Sequence, residues 1–414
     1  MDTTNKKKIV NDPVHGFINI QHPIVFDLIE HPYFQRLRNI KQLGLTYLVY
    51  PGANHNRFQH ALGALHLMNE AISVLRSKGH PITEQEAEAA NVAILLHDIG
   101  HGPFSHSLEY SIAKGINHET ISRCFIHWLN KAMNGQLSMA IEVFEDTYPK
   151  RFLHQLVSSQ LDMDRLDYLR RDSFFSGVTE GTVGVERIIK MLNVVNDHLV
   201  VEVKGIYSVE KFLIARRLMY WQVYLHKTVV AAEQILIKML QRARELERLG
   251  IELFATPSLH YFLANDITAK DFEAMESDGK PSEALIHFSN LDDNDIMIAA
   301  KIWQTHSDSV LSKFACMIVN RKLLKVELKG APFENSRIES IREQVISKFP
   351  NYSQNIDYYV FSDSVSNNAY SSLDDSIKIL YNNGELIDIA EASDILNTQA
   401  LSTEVKKYFL CYPK

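Results

Sequence analysis

The chain has 414 residues, 46% of them hydrophobic, and a net charge of −7, which gives material for a large core and no general basic field for holding a nucleic acid. Three widely spaced cysteines, Cys124, Cys316 and Cys411, make no disulfide framework, and the start "MDTTNKKKIV" lacks a signal-peptide core, so the sequence reads as cytoplasmic. Apolar runs such as "VAILL" and "VVAAEQILI" fall well short of the roughly 18 residues of a membrane span.

The opening "IVNDPVHGFINIQHP" alternates and carries turn residues, which predicts a short strand or hairpin before the first helix. From about residue 24 to 250 the pattern is mostly helical. Apolar residues recur at three- and four-residue spacing in "HALGALHLMNEAISVL" and "EAEAANVAILLHDIG", and again in a stretch that predicts one long helix over 207–247. More short helices follow between 252 and 325. After about 326 the texture changes to "KVELKG", "IDYYVFSD" and "SIKILYNNGELIDIAE", where β-rich runs flank an Asn-Gly turn signal. The fold class is therefore mainly α, with a helical body over 1–325 and a small α+β lobe over 326–414.

Of the 18 histidines, nine lie between positions 55 and 127, and that clustering points to a site. In "AILLHDIGHGPFSH", residues 93–106, the helix is expected to run to about Gly100, where Gly102-Pro103 stops it. His97 and His101 then stand one turn apart. Asp98 is about 100° round the helix from His97, yet a ring and a short carboxylate can converge on one ion off the helix end. A solvent-facing pair is the ordinary reading of a lone His-Asp, but an unpaired carboxylate beside the buried "VAILL" run is costly. Other ligand candidates come from "NHNRFQHALGALH", which puts His60 on the first turn of a helix three residues after Arg57. The block "SSQLDMDRLDYLRRDSFFSG" puts Asp164, Tyr168 and Asp172 at i, i+4 and i+8 on one face. Its remaining charges, Asp162, Asp167, Arg170 and Arg171, read as solvated pairs. In "ARRLMYWQVYLHK" the residues Arg216, Tyr220 and Tyr224 recur at the same spacing, and an arginine heading an aromatic stripe favours a site over plain packing.

Taken in order, "HNRFQH", "HDIGHGPFSH", a His-Glu pair at 118–119 and "DMDRLDYLRRD" resemble the HD-domain phosphohydrolases. Within them they resemble the deoxynucleoside triphosphate triphosphohydrolases, both the SAM-and-HD-domain kind and the bacterial dGTPase-like kind, over roughly residues 8–330 and with no SAM domain expected ahead. The resemblance implies an HD-domain helical body in which His60, His97, Asp98 and Asp164 hold one divalent ion. Such a donor set without thiols suits iron, manganese, zinc, nickel or magnesium. The resemblance also puts His101, His106 and His118 beside the phosphates, with Glu109, at a position where the family more often has Asp, orienting His106. Water activated by the ion would attack the α-phosphorus, and His106 or His118 would protonate the departing 5′ oxygen, leaving deoxynucleoside and triphosphate.

Further positions follow from the same resemblance. Arg57, Arg165 (often Lys in the family) and Arg216 would hold the phosphates. Tyr224 would lie under the deoxyribose and exclude a 2′ hydroxyl, Tyr168 and Asp172 would face its 3′ side, and Gln42 and Leu43 would border sugar and base. Tyr220 stands where a His is common. A regulatory nucleotide would meet Lys8, Asn11, Glu30, Gln35, Arg38, Arg321 and Lys325, with Glu30 in place of a guanine-reading Asp. Without the resemblance, Arg36, Arg38, Arg321 and Lys325 read as ordinary surface charge. The implied partners are deoxynucleoside triphosphates, dGTP included, and copies of the chain in a homo-oligomer, a dimer or tetramer; neither membrane nor nucleic acid is expected. The alternatives are another HD hydrolase (a 5′-nucleotidase or nuclease) and a nucleotide sensor without turnover. The motif lacks the Glu-Asp pair of alarmone hydrolases and the Gly-Tyr-Pro signature of cyclic-dinucleotide phosphodiesterases.

Overall fold

The computed structural model describes residues 8–104, 115–273, 280–367, 370, 376–394 and 405–414. The chain opens with the expected hairpin, strands Lys8–Asp12 and Gly16–Ile20 paired antiparallel. The centre of the body is the helix Arg57–Ser77, which packs on both the Glu84–Leu96 and the Met163–Ser176 helices. Each start is set locally. Asn56 and Gln59 form a reciprocal capping box, as do Thr83 and Glu86, and Asp162 accepts from the backbone N–H of Arg165 at 2.7 Å, so the first-turn donors are satisfied. The Met163–Ser176 helix ends where Gly177 turns left-handed at φ 75°, a conformation that favours glycine.

Two helix expectations differ from the structure. The helix before the His-Asp pair stops at Leu96 rather than near Gly100. His101 is therefore not one helical turn above His97; a tight turn carries it, its N–H bonded to Asp98 O at 3.1 Å. The expected 207–247 helix is interrupted. Helix Ile206–Met219 runs into a π-helical turn at Tyr220–Tyr224, His226 is extended, and a second helix covers Lys227–Arg248. A wider turn displaces the ladder and redirects side chains, which periodicity counting at 3.6 residues does not register.

Residues 325–412 supply a three-stranded antiparallel sheet in which Val405–Tyr412 lies between Lys325–Lys329 and Phe361–Asn367. The hairpin Lys378–Leu380 and Leu386–Asp388, closed by the Asn-Gly turn with Gly384 at φ 86°, joins strand His198–Glu202 in parallel, making a four-stranded sheet with Leu192–Val195. The late segment is thus tied back onto the body. No helix among the described residues is long and apolar enough to cross a membrane.

Candidate metal and nucleotide site

Three helices aim their polar residues at one place. His60 comes from the first turn of Arg57–Ser77, Asp164 from the first turn of Met163–Ser176, and His97 and Asp98 from the turn after Leu96. Nε2 of His60 is 3.1 Å from Oδ1 of Asp164 and 3.8 Å from Oδ2 of Asp98; Nε2 of His97 is 3.5 Å from Asp164 and 3.4 Å from Asp98. His60, His97 and Asp164 offer ligand atoms all within 4.8 Å of one another, and so do Asp98, His101 and His118.

The donor set fits a divalent ion, and the fit rests on the imidazoles. Nδ1 of His60 is engaged by Asp167 at 2.8 Å and Nδ1 of His97 by the carbonyl of Ile94 at 2.6 Å. Each ring therefore donates from Nδ1 and turns its Nε2 inward, bare of a hydrogen-bond partner. Both Nε2 atoms are buried and complete no hydrogen bond. Buried acceptors without partners are costly, and an outer-ring N–H donor of this kind is how metal-binding histidines are oriented. Burial opposes charge throughout the cluster, yet Asp164 and Asp167 raise His60 to about 10, and His60 and His97 hold Asp164 far below the usual carboxylate range. These opposite charges favour a second proton on the rings, and a divalent ion held at the two Nε2 atoms would take that proton's place. Asp98 is also held well below its ordinary value, against burial, by His101, His97 and Arg57.

His101 and His118 stand beside this cluster with rings stacked at 3.8 Å and 17°. Gly100 makes that approach possible, since a Cβ there would fall 2.2 Å from Ser122 N and 2.3 Å from His118 O. Ser122 Oγ accepts from Gly100 N–H and donates to His97 O, which locks the turn onto helix His118–Ala132. Burial and the charge of Arg57 push His101 well below its ordinary value. His106 and Glu109 lie outside the described residues.

Of the expected phosphate cations, Arg57 is buried and paired with Asp98, Arg165 with the fully buried Asp162, and buried Arg216 reaches Gln160 at 3.4 Å. The tyrosines form one wall: Tyr224 lies 6.2 Å from Tyr168 and 5.1 Å from Tyr220, ring to ring. Asp172 accepts from Tyr224 Oη at 2.8 Å and bonds His55 at 2.7 Å. Gln42 and Leu43 sit on a turn tied to the start of the Arg57–Ser77 helix, with Gln42 N–H on His55 O and Arg57 N–H on Ile40 O, each at 3.0 Å.

The positions expected to be regulatory are mostly exposed, and several of them contact their own neighbours. Lys8 lies over Phe26, Asn11 and Glu30 face solvent, and Gln35 accepts from Arg38 at 2.7 Å while Arg38 covers Phe58. Arg321, left-handed at φ 53°, donates to Leu48 O at 2.8 Å, and Lys325 lies near Tyr412.

Several functional side chains escape a reading of the sequence. Asp162, Asp167 and Arg171, read there as solvated, are fully buried: Asp162 caps its helix, and Asp167 and Arg171 bond each other behind His60. Only Arg170 keeps to the exposed pairing expected, with Glu186. Arg36 is buried too, donating to the carbonyls of Ile99, His101 and Leu291, so it braces the His-Asp turn. A signal for the first group existed in the i, i+4 spacing of Asp167 and Arg171 beside an apolar seam; for Arg36 there was none.

Comparison with known proteins agrees with this geometry. Residues 57–171 match the HD domain and residues 183–255 the HD-associated region. The YwfO protein of Bacillus subtilis is 32% identical over 429 residues, covering 99% of this chain and 93% of that protein. The deoxynucleoside triphosphate triphosphohydrolase SAMHD1 of Gallus gallus is 32% identical over 285 residues, 58% of this chain and 46% of that protein. A phosphohydrolase of Bacteroides thetaiotaomicron of known crystal structure superposes with a TM-score of 0.93 at 56% identity, over 99% of this chain and 100% of that one.

Proposed function

The chain belongs to the HD-domain phosphohydrolases, and we propose that within them it is a metal-dependent hydrolase of deoxynucleoside triphosphates, dGTP included, that releases deoxynucleoside and intact triphosphate. The observation that carries this reading is the convergence of two bare, buried Nε2 atoms with two carboxylates beside the Arg57 guanidinium. Its support is the kinship at about 30% identity with triphosphohydrolases of that substrate class.

In this reading His60, His97, Asp98 and Asp164 hold the ion. When bound, it supplies Lewis acidity at the α-phosphate and lowers the pKa of a water there. Arg57, Arg165 and Arg216 place fixed positive charge along the polyphosphate. His101 and His118 donate to the α-phosphate oxygens, and His106, oriented by Glu109, gives a proton to the departing 5′ oxygen. Tyr224 closes the space at C2′, where a hydroxyl finds neither room nor partner, and Tyr168 and Asp172 face the 3′ side while Gln42 and Leu43 border the base. A nucleotide at Lys8, Asn11, Glu30, Gln35, Arg38, Arg321 and Lys325 regulates the activity by favouring an assembled form.

The test is incubation of the purified protein with each of the four dNTPs and Mn²⁺ or Mg²⁺, with products separated by charge. The proposal expects triphosphate and deoxynucleoside in equal amounts; release of pyrophosphate or orthophosphate alone moves the protein to another reaction class.

A further inference from the structure

Asp167 accepts hydrogen bonds from four donors: Nδ1 of His60 at 2.8 Å, Nε2 of His15 at 2.6 Å, and Nε and Nη2 of Arg171 at 2.8 and 3.0 Å. An ionised carboxylate has about four acceptor positions, so all are taken and the plane of the group is fixed. Asp167 and Arg171 are both wholly buried.

The cradle extends to the N-terminal hairpin. Arg171 also donates to both oxygens of Asp12, at 2.7 and 3.3 Å. Asp12 in turn accepts from the N–H groups of Val14 and His15, at 2.9 Å each, so the carboxylate that anchors the hairpin also sets the backbone from which His15 reaches Asp167.

Gly63 supplies an independent observation. It lies inside the Arg57–Ser77 helix, where glycine costs about 1 kcal/mol relative to alanine, and its φ is not positive. A Cβ there would fall 2.0 Å from Asp167 Oδ1 and 2.2 Å from Arg171 Nη2. The missing side chain is what lets the Asp167–Arg171 pair lie directly beneath His60.

We infer that the N-terminal hairpin and Gly63 are parts of the metal site: His15, Asp12 and Arg171 hold Asp167 so that it fixes the tautomer and direction of the His60 ring. They are positioning residues, acting through His60, and the inference rests on the reading of His60 as a metal ligand.

The test is titration of the full-length metal-free protein with Mn²⁺ alone, followed by calorimetry, with the melting temperature of each metal-free variant measured beside it. Outer-ring partners of this kind contribute roughly tenfold to hundredfold in metal affinity. His15→Ala should weaken Mn²⁺ binding about tenfold, and His15→Gln, whose amide can donate to Asp167, should recover most of the loss. Gly63→Ala, which pushes the carboxylate off His60, should weaken it at least as much; if that variant does not fold, the two His15 variants decide. Wild-type affinity in His15→Ala, or a His15→Gln that binds no better than His15→Ala, overturns the inference. With no nucleotide present, the result is independent of which substrate the enzyme hydrolyses.

Discussion

The phenol of Tyr224 donates to Asp172 at 2.8 Å while His55 holds the other oxygen of the same carboxylate at 2.7 Å. Burial and the Asp172 charge push the Tyr224 hydroxyl well above its ordinary value, so it stays a donor and the ring stays fixed. Tyr224→Ala opens space at C2′, and discrimination of dGTP over GTP should fall by about tenfold or more. Tyr224→Phe keeps the ring and should keep most of the selectivity. Parallel kcat/KM measurements on dGTP and GTP check this; unchanged rejection of GTP by Tyr224→Ala would remove Tyr224 from the sugar site.

Metal binding and proton transfer should separate by mutation. His97→Ala removes one of the two bare Nε2 atoms, so the purified variant should lose both metal and turnover. His106→Ala should retain metal and lose turnover by 10²-fold or more, the scale of a positioned general acid. Metal content by elemental analysis, alongside turnover, decides. If His106→Ala is near wild type and His118→Ala is not, the proton donor is His118.

Asp293 gives a prediction in pH. It is buried, accepts from Lys41 N–H at 3.0 Å and Phe104 N–H at 2.8 Å, and burial raises it from 3.8 to about 6. Between those two values the folded chain keeps a proton that the unfolded chain has released, so this group's contribution to stability falls as pH rises through the window. The loss amounts to about 3 kcal/mol once both states are ionised. Asp293→Asn has no such titration, and its stability relative to wild type should climb from about pH 4 to about pH 6. Urea unfolding at both ends of the window measures it; a constant difference would show that Asp293 titrates normally.

The regulatory reading predicts cross-activation. Arg38 borders a pocket of about 230 Å³ also lined by Lys41, Tyr47, Asn56 and Asn294, and Arg321 donates to the carbonyl of Leu48, the residue after Tyr47. Turnover of one dNTP should rise when a second, dGTP first, is added, together with the assembled mass in solution. Arg38→Ala or Arg321→Ala should abolish the rise and leave metal content intact. Full activity in a strict monomer indifferent to added nucleotides would make these residues plain surface charge.

Much of the candidate cluster was legible because its side chains fall in short motifs: His97-Asp98 after an apolar run, His60 one turn into a capped helix, Asp164 beside Arg165. What escaped was set by tertiary contact. Asp167 and Arg171 look like a solvated i, i+4 pair until Gly63 and the hairpin close over them. Arg36 and Arg38 are two residues apart, yet one is buried on carbonyls and the other covers Phe58 at the surface, a difference that no composition or spacing encodes. The helix break at Tyr220–Tyr224 was hidden by apolar residues that suit a π turn as well as an α-helix.

The most direct test of the central claim is hydrolysis of dGTP in heavy-oxygen-labelled water with Mn²⁺ present, followed by mass spectrometry of both products. Attack of water at the α-phosphorus, with the polyphosphate held by Arg57, Arg165 and Arg216, places one labelled oxygen in intact triphosphate and none in the deoxynucleoside. Label in the deoxynucleoside, or label found only in pyrophosphate or orthophosphate, would contradict it.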